Sequence, residues 1–113
     1  MAKVTVEDLK SFDEFLKRVL HGGAIRVIKL VDYGFTAPVE KGGAIVVQPS
    51  VRIVITAFDK KSNKIYRWQE HTDAADVAKT DNLRQRLQLE GFMVEKGEWT
   101  QKEIERLLGR PAA

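Results

Sequence analysis

Basic and aromatic residues alternate in one short stretch near the middle of the chain. This stretch spans residues 60–68 and consists of cations and large rings, namely Lys60, Lys61, Lys64, Tyr66, Arg67 and Trp68. Ammonium and guanidinium groups can neutralise phosphates, and aromatic faces can stack on unpaired bases. The same cations would suit an acidic protein surface. We therefore predict that these residues form a binding site for nucleic acid or an acidic partner.

The same residues also have a structural interpretation. Strand alternation places Lys64, Tyr66 and Trp68 on one face. If a helix covers that face, the two rings belong to the core and the lysines only hydrate the end of a hairpin. The sequence leaves both interpretations open.

Residues suited to acid–base or metal chemistry are few. His21 and His71 are the only histidines, and each lies at a predicted helix boundary, where imidazole commonly bonds a terminal carbonyl or faces water. His71 with Asp73 and Asp76 has the side-chain types of a cation site, although acids at a helix start also complement the helix dipole. The chain lacks cysteine, and no serine lies in a recognisable nucleophile motif. We assign no catalytic residue, no metal ligand and no cofactor.

Hydrophobic spacing predicts three helices around these residues. Residues 7–21 repeat apolar side chains every three or four positions, with Thr5 or Asp8 as the cap. Residues 72–90 are helical in pattern, with a second possible start at Thr80. The last helix begins at Thr100, because Thr100 and Glu103 have the spacing of a capping box.

Four strands are predicted between the helices. They cover residues 24–33, 44–58 with an interruption at Pro49, 64–70 and 92–95. Residues 34–43 contain a proline and three glycines, which is typical of a loop. Asn63 tolerates the backbone of a short turn, so residues 59–63 should close a hairpin.

The predicted fold is therefore a single α+β domain over residues 1–113. Its element order is α-β-β-β-α-β-α, with a four-stranded, mainly antiparallel sheet packed by helices. The sequence shows neither an internal repeat nor a linker that would divide it.

Composition favours a globular protein. The 113 residues are 43% hydrophobic and 31% charged, enough for one core. Absence of cysteine, of a secretory signal and of a long apolar run predicts a soluble cytoplasmic protein. The net charge is +3, and much of the excess lies mid-chain, where four cations outnumber Asp32 and Glu40, namely Arg26, Lys29, Lys41 and Arg52.

These observations support three functional hypotheses. The first is a non-enzymatic binding or scaffold domain that contacts its partner through the hairpin of residues 60–68, which we call the basic hairpin. The second is a metal-dependent nuclease using Glu70, His71 and Asp73, because the element order resembles that of the restriction-endonuclease-like fold, although the acid-x-lysine pair of that fold is missing. The third is a homo-oligomeric structural domain joined through a strand edge or the terminal helix.

Overall fold

A mixed β-sheet forms the frame of the molecule. The computed structural model describes residues 4–22 and 25–109, and within them it contains five strands and three helices. In chain order these are β1 (Thr5–Asp8), α1 (Phe12–His21), β2 (Val27–Lys41), β3 (Ala44–Asp59), β4 (Lys64–Asp73), α2 (Lys79–Leu89), β5 (Met93–Lys96) and α3 (Gln101–Leu107). The class is α+β and the chain is one small domain, as predicted.

The predicted sheet of four mainly antiparallel strands, with element order α-β-β-β-α-β-α, is wrong. The strand order is β1-β4-β3-β2-β5, in which β2, β3 and β4 are antiparallel neighbours while β1 and β5 add to the edges in parallel. The additional strand is β1, at residues expected to begin the first helix. That helix begins later, where the Ser11 hydroxyl accepts a hydrogen bond from the Glu14 amide at 3.1 Å.

Helices pack on both faces of the sheet, two on one face and one on the other. One face carries the buried residues Ile28, Leu30, Ile55 and Trp68, which pack with α1 and with Leu87 of α2. We call it the core face. The opposite face carries Lys29, Val54, Thr56 and Phe58 and is covered in part by α3 with its buried Ile104. The capping box predicted for α3 is confirmed, since Thr100 and Glu103 exchange hydrogen bonds.

The hairpin of β2 and β3 is much longer than the sequence suggests. The predicted loop over residues 34–43 is instead a continuation of β2, and β3 follows it after a two-residue turn at Gly42 and Gly43. Both glycines have positive φ, at 58° and 80°, which is the geometry of the tight turns that join antiparallel strands. Ala24, the predicted start of this strand, lies outside the described residues.

Part of this hairpin projects beyond the rest of the sheet. Pairing of β3 with β4 stops at Ser50 and Asp73, and β5 pairs only with residues 27–30 of β2. Residues 36–49 therefore form a two-stranded ribbon, which we call the arm. The molecule is elongated as a result: its extents are 55 × 32 × 21 Å and its radius of gyration is 16.3 Å, against about 13 Å for a compact domain of this size.

Candidate functional site

The aromatic residues of the predicted basic site lie in the core. Tyr66 and Trp68 are both more than nine-tenths buried on the core face. Phe12 of α1 packs on Trp68 with ring centroids 5.5 Å apart, and the Arg18 guanidinium lies 5.8 Å from the Tyr66 ring centroid. Neither ring can therefore stack on an unpaired base in this fold.

Two of the predicted cations hold β1 against β4. Arg67 donates two hydrogen bonds to the Asp8 carboxylate, at 2.6 and 2.9 Å, and these bonds hold the pKa of Asp8 below its usual value. The Lys64 ammonium lies 3.4 Å from a Glu7 oxygen. The charges of both cations are thus balanced within the domain.

Lys60 and Lys61 differ from their neighbours in the hairpin. Both are exposed in the turn between β3 and β4, and neither forms an ion pair with any other residue in the described parts of the chain. The structure thus places all the predicted site residues on one hairpin but leaves these two as its unpaired cations.

The residues of the nuclease hypothesis do not converge. Glu70 lies on the core face of β4 and pairs with Lys79 at 3.3 Å. His71 and Asp73 lie on the opposite face, where His71 packs edge-on against Phe35 and Asp73 accepts a hydrogen bond from Gln48. Within residues 4–22 and 25–109, no group of three His, Cys, Asp or Glu residues is placed to hold a metal ion.

The arm is a further candidate surface, and both of its faces carry exposed apolar side chains. Ile45 is 78% exposed and Val47 is 68% exposed. The core-face side of the arm carries Pro38, Ile45, Val47 and Pro49, and the other side carries Ala37, Val39, Ala44 and Val46. Clusters of exposed apolar side chains are typical of interaction sites.

Arm residues carry very little charge. Glu40 and Lys41 are the only charged residues among positions 36–49, and they are adjacent at the tip. The arm is thus neutral overall. Electrostatics therefore selects neither a polyanion nor a polycation as its partner.

A two-stranded ribbon has limited stability on its own. Isolated hairpins are marginal in water, and strands without neighbours leave a row of unpaired backbone groups. Within the described residues, neither strand of the arm pairs with a third strand. A partner that covers the arm would satisfy both its apolar faces and its open edges.

Two aromatic residues at the base of the arm, Tyr33 and Phe35, contact the rest of the domain. Tyr33 donates a hydrogen bond of 2.6 Å to Glu98, which raises the pKa of the tyrosine, and the Arg52 guanidinium lies 5.2 Å from its ring centroid. Phe35 packs edge-on against His71 with ring centroids 5.2 Å apart. These contacts fix the orientation of the arm relative to the sheet.

Sequence reasoning missed the arm because its residue types suggested a loop. Pro38 and the three glycines of positions 34–43 are typical of irregular connections. The available signal was the Gly42-Gly43 pair, since two consecutive glycines suit a tight hairpin turn between runs of valine, alanine and isoleucine.

Comparison with known proteins gives no family assignment. No protein-family model, no curated protein and no solved structure matches this chain. Among the described helices, none is long and apolar enough to cross a membrane.

Proposed function

We propose that this protein is a non-enzymatic scaffold domain that assembles with a second copy of itself through the arm. The observation that supports this function best is the ribbon of residues 36–49, whose two faces are both apolar and both exposed. In the proposed dimer, the arms of two copies cover each other around a two-fold axis.

Charge and symmetry favour a second copy over other partners. The neutral arm offers no attraction to nucleic acid or to an anionic lipid surface. Glu40 and Lys41 are adjacent at the tip, so the tip has no net charge that would repel a second copy. A two-fold contact uses the same patch on both copies, so the association closes at two chains.

The size of the arm limits the affinity of a dimer. Specific interfaces bury about 800 Å² per partner, supplied by roughly 20–30 residues. The fourteen residues of the arm alternate between its two faces, so a contact through one face uses about half of them, fewer than in a typical interface. We therefore expect a dimer of moderate affinity.

Paired substitutions on and off the arm test this function. The double variant Ile45→Lys/Val47→Lys places two charges on one apolar face of the arm and should convert a dimer into a monomer of 12.8 kDa. The matched control is Val77→Lys/Leu89→Lys, because these residues are 83% and 85% exposed and lie outside the arm. Molar mass is measured by light scattering during gel filtration.

The control should keep the wild-type mass and the arm variant should not. If both double variants dissociate equally, charge repulsion rather than the arm explains the result, and the proposal is wrong. Far-ultraviolet circular dichroism of the arm variant verifies that loss of the dimer is not loss of the fold.

A further inference from the structure

A cavity of about 420 Å³ lies at the end of the molecule away from the arm. It is bounded by α3, by the beginning of β2 and by the end of β3 with the turn that follows. Its apolar wall includes Val27, Phe58 and Trp99, and the Phe58 and Trp99 ring centroids are 6.1 Å apart. Cavities of this size with mainly apolar walls are typical of small-molecule sites.

Three cations line the same cavity. Arg26, Lys60 and Arg106 are all exposed, and none of them forms an ion pair with another residue in the parts of the chain that the structure describes. Unpaired cations around one opening create a positive local field that attracts anions.

The acids of the cavity are already engaged. Glu95 and Glu103 also line it, and both carboxylates contact the buried Lys29 ammonium, at 2.8 and 2.7 Å. Counting Lys29 with the two acids and the three free cations gives a net charge of +2 around the cavity. A cationic ligand would find no free carboxylate here.

We propose that this cavity binds a small organic anion with a flat apolar body. The ring of the ligand packs against Phe58 and Trp99, and its phosphate or carboxylate group is held by Arg26, Lys60 and Arg106. This site is independent of the arm.

Phenyl phosphate is the probe that carries both required features. Titration of the ¹⁵N-labelled protein should shift the Trp99 indole signal with a dissociation constant on the order of 1 mM or below. Inorganic phosphate, which lacks the ring, and benzyl alcohol, which lacks the charge, should each bind at least about tenfold more weakly. Equal binding of inorganic phosphate, or no saturable shift with phenyl phosphate, would overturn the proposal.

Adjacent lysines in the hairpin provide a matched control. Lys60→Gln should weaken phenyl phosphate binding about fivefold, and Arg106→Gln similarly, because each removes a charge-assisted hydrogen bond. Lys61→Gln removes the same charge from the next residue, which does not line the cavity, and should change affinity less than about twofold in 0.15 M salt.

An oligonucleotide titration separates the cavity from a general basic surface. If a short single-stranded DNA binds, and Lys60→Gln and Lys61→Gln weaken it equally, the hairpin is a phosphate-contacting surface and the small-anion site is wrong. The phenyl phosphate titration is repeated with Ile45→Lys/Val47→Lys. Unchanged affinity in that monomeric variant shows that the cavity does not depend on the arm.

Discussion

At the scale of single residues, Lys29 connects three elements of the fold. It lies on β2, is only 6% exposed, and contacts Glu95 of β5 and Glu103 next to the cap of α3. Its ammonium also lies 5.1 Å from the Trp99 ring centroid. Burial disfavours the charged form, but the hydrogen bonds to Glu103 and Glu95 outweigh burial, so the pKa of Lys29 is raised.

Replacing Lys29 by alanine should therefore destabilise the protein strongly. We expect Lys29→Ala to lower the free energy of unfolding by about 2–3 kcal/mol, because it removes both ion pairs and leaves two neighbouring acids facing each other. Lys60→Ala, an exposed lysine without an ion pair, should change it by less than about 0.5 kcal/mol. Urea unfolding measures both values, and similar losses for the two variants would contradict this role.

Glu103 should make the free energy of unfolding decrease at acid pH. The hydrogen bond from Lys29 is the main reason that the pKa of Glu103 lies below its ordinary value of 4.5. A lowered pKa in the folded state means that this stabilisation is present above pH 4.5 and is lost as the pH falls through the folded-state pKa. Protonation of Glu103 should thus contribute to acid unfolding.

The variant Glu103→Gln tests this pH dependence. Glutamine keeps the capping box but cannot ionise. We expect the variant to melt at a lower temperature than wild type at pH 7, and the difference to shrink as the pH falls below about 4. A constant difference between pH 3 and pH 7 would show that the charge of Glu103 is not the cause.

Residue spacing in the basic hairpin was informative only in part. Alternation correctly indicates that Lys64, Tyr66 and Trp68 share a face of β4. It does not indicate which face α1 covers, because that depends on contacts with Phe12 and Arg18, far away in sequence. Burial of the two rings thus depends on tertiary packing, which a local pattern cannot show.

At the scale of elements, local signals predicted one helix cap and one hairpin turn correctly. The Thr100 capping box and the hairpin turn at Asn63, whose φ is 56°, are set by residues within a few positions of each other. Strand β1 is different, since its four residues depend on the free edge of β4 and on ion pairs to Lys64 and Arg67. Such pairing cannot be read from a short polar segment.

The turn of the arm should be sensitive to added side chains. Gly42 and Gly43 both have positive φ, so Gly42→Ala/Gly43→Ala should destabilise the ribbon by roughly 1–2 kcal/mol and weaken self-association. Gly34→Ala is the control, because Gly34 lies in β2 outside the turn, does not have a positive φ, and has open space where a Cβ would be added.

Amide hydrogen exchange of residues 36–49 measures the effect on the arm. Exchange should accelerate in the turn variant and stay near wild type in Gly34→Ala. Equal protection in the turn variant and in wild type would show that the arm does not depend on this turn.

At the scale of the whole molecule, β3 connects the two proposed surfaces. Its sixteen residues run from the arm tip to the cavity, a span of roughly 50 Å at strand rise. Self-association at one end therefore leaves the cavity at the other end open to solvent and to a ligand.

The shape of the monomer should persist when dimerisation is blocked. Because contacts at Tyr33 and Phe35 fix the base of the arm, monomeric Ile45→Lys/Val47→Lys should keep a radius of gyration near 16 Å in small-angle X-ray scattering. A value near 13 Å would show that the arm folds back on the body.

Sedimentation equilibrium of the wild-type protein tests the central proposal most directly. Across a concentration series up to about 100 µM, the mass should rise from 12.8 kDa toward twice that value and no further, because a two-fold contact closes on itself. A mass of 12.8 kDa at every concentration would contradict self-association through the arm.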